Sequence, residues 1–154
     1  MKISFSVFVA FCLLIFTQAS QAQTTNKPSV SLNHIALYVF NLEKSAAFYR
    51  DIIQLDTIPE PFHDGKHNWF KIGEHSQLHL IKGATAATIH DKNTHICFSV
   101  PSITISLQSL KKVNIDYENW AGQLNTVTTR PDGVHQIYLK DPEGFWVEIN
   151  DDKF

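Results

Sequence analysis

The sequence predicts an α+β fold in which one supersecondary unit is written twice. Two observations carry this. The stretch Asn33-His-Ile-Ala-Leu-Tyr-Val39 is echoed by Thr94-His-Ile-Cys-Phe-Ser-Val100, with His34 and His95 61 positions apart. Each copy is followed by a helical pattern and then by short alternating runs, an internal repeat of about 60 residues. Neither half has enough sheet to bury a core alone, so the two must share one, as sheet with helices packed on its outer face.

The elements follow in order. Leu32 to Val39 alternates apolar residues as a strand does. Asn41 is placed to cap a helix from Leu42 to about Ile53, with Leu42, Ala46, Tyr49 and Ile53 on one stripe. Pro59 to His67 breaks regular structure. Trp69 to Ile72 and Leu78 to Ile81 read as strands around a Gly73-Glu-His-Ser turn. Residues 83–93 form a linker of small and polar residues. The order then restarts: strand Thr94 to Val100, helix Ile103 to about Val113, a strand at Ile115 to Trp120 and a loop at Gln123 to Asp132. Strands at Val134 to Leu139 and Phe145 to Ile149 flank the tight turn Asp141-Pro-Glu-Gly144. Module one is thus residues 32–82 and module two residues 94–150 of a single domain, 32–150.

Residues 1–22 read as a cleavable secretory signal: Met1-Lys2, an apolar run from Ile3 to Phe16, then Ser20 and Ala22 ahead of Gln23. The run is too short for a membrane span. Residues 23–31 read as a polar leader. The expected location is the periplasm or the exterior, with no membrane contact after cleavage. Of the two cysteines, only Cys97 lies beyond the signal, so no internal disulfide is expected. A net charge of −2 with no basic run points away from nucleic acid as partner.

Parity along the strands sorts the ligand-type residues. Ile35, Leu37 and Val39 share one face of the first strand, and His34, Ala36 and Tyr38 the other. In the repeat, Ile96, Phe98 and Val100 pack while His95, Cys97 and Ser99 face away. In the closing strands, His79 lies with Gln77 opposite Leu78 and Leu80. Glu148 lies with Trp146 and Asn150 opposite Val147 and Ile149. If the sheets curve together, His34, His79, His95 and Glu148 line one cleft. Imidazole and carboxylate suit Fe, Zn, Ni or Mn, and two His with one Glu match the open triad of non-haem Fe(II) oxygenases. His79 is either a fourth ligand or a neighbouring acid–base group.

At "NHIALYVFNLEKSAAFYRD", "QLHLI", "THICFSV" and "YLKDPEGFWVEI" the sequence resembles the vicinal oxygen chelate superfamily, which includes glyoxalase I, fosfomycin- and bleomycin-resistance proteins, methylmalonyl-CoA epimerase and extradiol dioxygenases. The resemblance covers Leu32 to Asn150. It implies two βαβββ modules forming an open, incomplete barrel around a metal-binding cleft, with one divalent metal held by His34, His95 and Glu148. Glyoxalase-type relatives add a Glu or Gln from the last strand of the first module, where this chain carries His79. The Thr that fosfomycin-resistance proteins place two residues after the first ligand is Ala36 here.

The function expected is a glyoxalase/dioxygenase-like metalloenzyme, of lyase, isomerase or ring-cleaving type, on a small substrate that chelates the metal through oxygens. Glu148 and His79 are the candidate acid–base groups. Trp69, Trp120 and Arg130 are candidate substrate contacts on the loops, with Phe62, His63 and His67 nearby. The rival expectation is a bleomycin-resistance-like protein that binds a small molecule without chemistry. The two modules can pair within one chain or exchange with a second copy as a homodimer, which would build each site from two subunits.

Overall fold

The computed structural model describes residues 29–153, so the expected signal and leader residues 23–28 lie outside the described part. Among the described residues no helix is long and apolar enough to cross a membrane.

Both modules are βαβββ. In the first, β1 (His34–Val39) leads into α1 (Leu42–Ala47) and a π-helical turn (Phe48–Ile52), followed by β2 (Thr57–Ile58), β3 (His67–Lys71) and β4 (Gln77–Lys82). In the second, β5 (His95–Ser99) leads into α2 (Ile103–Lys112), β6 (Thr128–Thr129), β7 (His135–Lys140) and β8 (Trp146–Asn150). The sheet orders are β1-β4-β3-β2 and β5-β8-β7-β6, the same pattern twice. The first and last strands of each module run parallel, and the others antiparallel. Each sheet keeps its own hydrogen bonds, and neither closes into a barrel.

The alternation predicted for the strands holds. Leu37 and Val39 are buried while His34, Ala36 and Tyr38 are exposed. Leu78, Leu80, Val147 and Ile149 join Ile137, Ile103 and Leu110 in one apolar cluster that draws on both modules. Each such side chain stabilises the fold by about 1.5–3 kcal/mol. That shared core meets the need that neither half can satisfy alone.

Three local departures have physical causes. Asn41 caps α1 as expected, its Oδ1 accepting from the Lys44 N–H at 3.0 Å. The helix then widens into the π turn, which carries two adjacent aromatics, Phe48 and Tyr49, into the core. The strand expected at Ile115 to Trp120 reduces to bridges at Glu118, to Leu124 and Tyr138. Short β6 appears where a loop was expected, and short β2 between the expected helix and loop of the first module, because β7 and β3 offer open edges to pair with.

The linker is docked rather than free. Thr88 N–H donates to the Glu143 carbonyl at 2.9 Å. The His90 ring stacks on Phe145 at 3.9 Å, and its carbonyl accepts from Trp146 Nε1 at 3.0 Å. Gly144, at φ +92°, passes so close that a Cβ there would collide with the Thr88 carbonyl oxygen. Only glycine fits both the conformation and the approach.

Candidate metal centre

The parallel pairing of β1 with β4 sets His34 beside Gln77 and Ala36 beside His79. The small Ala36 leaves room for the His79 ring to lie against His34, with centroids 4.3 Å apart and planes 7° apart. Trp69, the cross-strand neighbour of His79, covers its other face at 3.9 Å and 1°. His79 is therefore clamped between two rings. Its Nε2 meets Gln77 Oε1 at 2.8 Å, and the His34 Nδ1 meets Asn33 Oδ1 at 2.7 Å. Burial, then the neighbouring His34 and His67, hold the His79 pKa below the ordinary histidine value. Trp69 Nε1, within this layer, is buried without a hydrogen-bond partner.

Ring geometry separates the roles of His34 and His79. A ligating imidazole holds a metal in its own plane, at about 2.0–2.1 Å from nitrogen. Parallel rings in van der Waals contact have planes about 3.5 Å apart. An ion in the plane of His34 thus lies out of reach of the His79 lone pairs in this arrangement.

The second module supplies the other pair. Parallel pairing of β5 with β8 sets Cys97 beside Glu148 and Ser99 beside Asn150. His95 Nδ1 donates to the Lys92 carbonyl at 2.7 Å, since a carbonyl can only accept. This leaves His95 Nε2 facing Glu148 Oε2 at 3.2 Å. Two lone pairs facing each other require a cation between them, either a proton or a metal ion. A separation of 3.2 Å suits two ligands of one ion at about 2.0–2.2 Å each. The carbonyl bond on Nδ1 is the kind of support that fixes a metal-ligating histidine. The donor set therefore fits a divalent metal.

Glu148 is buried, and its carboxylate is well attended. Oε1 takes hydrogen bonds from Asn150 Nδ2 at 3.0 Å and the Cys97 thiol at 3.4 Å. Partial burial, reinforced by Glu148, pushes the Cys97 thiol up to about 12. It is a protonated donor rather than a nucleophile. Tyr138, opposite Glu148 across β7 and β8, also has its hydroxyl pKa raised, by burial first and then by Glu148.

The structure brings the four expected ligands together as two pairs, His34 with His79 and His95 with Glu148. Among the described residues, no three His, Cys, Asp or Glu side chains gather into one metal-holding group. His34 and His95 are both exposed, on β1 and β5, and both strands are sheet edges. Hollows of about 630 and 730 Å³ flank α2, and none of the four ligand-type residues lines either one.

The expected substrate contacts fall in different settings. Trp69 is pressed onto His79. Trp120 is 48% exposed and stands edge-on to Tyr138, itself edge-on to His95, so it walls the second pair. Arg130 is ion-paired with Asp132 and, at 3.6 Å, with Asp152, so its charge is already answered. Sequence reasoning missed Tyr138 and Lys92. Alternation in His135-Gln-Ile-Tyr-Leu-Lys140 places Gln136 and Tyr138 opposite the core residues Ile137 and Leu139, a signal that could have found the first. Lys92 ion-pairs with Glu118 and lies over the Trp146 ring at 4.8 Å. Nothing in the sequence pattern foretells that.

Comparison with known proteins agrees with this architecture. The Glyoxalase/Bleomycin resistance protein/Dioxygenase superfamily profile matches residues 31–149. A lactoylglutathione lyase from Pseudomonas putida is 26% identical over 152 residues, spanning 76% of this chain and 82% of that protein. The human mitochondrial methylmalonyl-CoA epimerase is 34% identical over 95 residues, spanning 54% of each. Among solved structures, a glyoxalase/dioxygenase from Nostoc punctiforme superposes with a TM-score of 0.64 at 23% identity, covering 80% of this chain and 92% of its own.

Proposed function

Because this chain belongs to the glyoxalase/bleomycin resistance protein/dioxygenase superfamily, we propose that it is a divalent-metal-dependent enzyme acting on a small substrate that binds the metal through oxygens. The metal is held by His34, His95 and Glu148, with His79 beside it as an acid–base group. The reaction is of lyase, isomerase or ring-cleaving type, and the protein works after export. The observation that carries this reading is the His95–Glu148 pair, whose facing lone pairs suit a shared cation.

Each complete site takes His34 from one copy of the chain and His95 with Glu148 from another. The two exposed edge strands that bear these histidines support this, as do Tyr38 and Phe40, 59% and 53% exposed beside His34. Bare edges with apolar side chains call for a partner strand. A second copy supplies one and joins the two half-sites.

A metal held by His34, His95 and Glu148 would, when bound, supply polarisation of a substrate oxygen and stabilisation of negative charge on it. The chain's own residues do the rest. His79 is neutral at neutral pH because burial disfavours its charged form, so it can accept a proton. Gln77 and the flanking rings fix its orientation, and Trp69 keeps water from its covered face. Trp120 offers an aromatic wall to the substrate.

Elemental analysis of protein purified without air tests the proposal. About one divalent ion per chain is expected, lost in His34→Ala, His95→Ala and Glu148→Ala alike. Substoichiometric metal, with small-molecule binding unchanged by a chelator, would overturn it in favour of a binding protein without chemistry.

A further inference from the structure

We propose that Asn150 is a positioning residue that turns one chosen oxygen of Glu148, Oε2, towards the metal. The inference rests on the metal reading above and concerns how this chain prepares its carboxylate. Asn150 is buried, at 4% exposure, and both ends of its amide are engaged. Its Oδ1 accepts from the Ser99 hydroxyl at 3.0 Å and from the Asp152 backbone N–H at 3.2 Å. A backbone N–H can only donate, so the amide oxygen must face it, and Nδ2 must face the other way. On that side Nδ2 donates to Glu148 Oε1 at 3.0 Å and to Cys97 Sγ at 3.1 Å. The Cys97 thiol donates to the same Oε1.

Oε1 therefore receives two donors, and its lone pairs are occupied. Oε2 is the oxygen left facing His95 Nε2. Sheet register builds the arrangement: Ser99 lies opposite Asn150 and Cys97 opposite Glu148 on paired strands. A carboxylate with one oxygen bound by the protein binds an ion through the other alone. This leaves more of the ion's coordination positions open to a chelating substrate.

Cobalt(II) titration of the full-length protein, read by calorimetry and by the visible spectrum of the bound ion, tests the inference without any assay of turnover. Asn150→Ala is expected to weaken cobalt binding about 10–100-fold and to change the spectrum. Ser99→Ala, which removes one of the two donors that hold the amide oxygen and leaves only the longer Asp152 bond, is expected to weaken it about fivefold. Cys97→Ala should weaken binding, and Cys97→Ser, which restores a donor, should recover it. Wild-type affinity and spectrum in both Asn150→Ala and Ser99→Ala would overturn the proposal while leaving the metal reading intact. If Asn150→Ala does not fold, the Ser99→Ala result decides. If the wild-type chain takes up no cobalt, or Glu148→Ala binds it as tightly, the metal reading itself falls and the positioning role falls with it.

Discussion

Glu143 of the second module accepts a hydrogen bond from the backbone N–H of Asn41, at the start of α1 in the first, at 2.9 Å. The Ser45 hydroxyl donates to the same oxygen, Oε1, at 3.3 Å, and Oε2 takes the Phe40 N–H at 2.8 Å. The carboxylate is 2% exposed. Two residues earlier, Asp141 accepts from the Tyr49 hydroxyl at 3.0 Å. The Asp-Pro-Glu-Gly turn is thus the polar clasp between modules that otherwise meet through apolar side chains.

Removing the clasp should loosen the pair. Glu143→Ala leaves two backbone donors and a hydroxyl unpaired in a buried place, at a cost of about 2–4 kcal/mol. Urea denaturation is the measurement. Glu143→Gln, which keeps one acceptor, should lose less.

Asp141 should leave a mark on the pH dependence of stability. Burial is the largest influence on it and raises its pKa. From the ordinary aspartate value of about 3.9 up to the folded value, the unfolded chain releases the proton while the folded chain keeps it. Stability due to this group therefore falls as pH rises through that window and is level above it. Relative to Asp141→Asn, the wild type should lose stability as pH rises from about 4, measured by urea midpoints in a pH series. Parallel curves for the two proteins would contradict the shift.

His79 should separate metal binding from proton transfer. His79→Ala is expected to keep its metal, because the stacked ring cannot share an ion with His34 as they stand, yet to lose turnover by about 10²–10⁴-fold. Loss of metal in this variant would instead make His79 a ligand. In metal-free protein, NMR titration should place the His79 midpoint below that of an ordinary histidine. The sign for stability follows: as pH falls below about 6.5 the unfolded chain protonates first, so this group's contribution is lost on acidification.

Sharing of the site between copies predicts complementation. His34→Ala and Glu148→Ala proteins should each be inactive alone. Mixed after dissociation and reassociation, random pairing makes about half of the dimers mixed, each with one intact site, so about a quarter of sites recover. No recovery in a mixture shown by mass spectrometry to contain mixed dimers would place each site within one chain.

Much of the site was legible in the sequence because strand geometry is a parity rule. His34, His79, His95 and Glu148 fall opposite the packing residues whatever the loops do, and Asn41 announces its helix by a local cap. The π turn at Phe48, the failed strand at Ile115 to Trp120 and the clasp at Glu143 were not legible. Each depends on partners distant in sequence. Glu143 looks like an exposed turn residue until Phe40 and Asn41, over 100 positions away, arrive beside it.

Periodicity and repetition alone thus determined a strand–helix–strands unit written twice and which side chains leave its core. Only the tertiary structure decided how those side chains meet. It paired His34 with His79 and His95 with Glu148, with one member of each pair, His34 or His95, on an exposed edge strand and the other buried on the strand beside it. Parity states the face on which a residue lies, whereas convergence depends on how whole sheets pack, and that is set by the shared core and the clasp at Glu143.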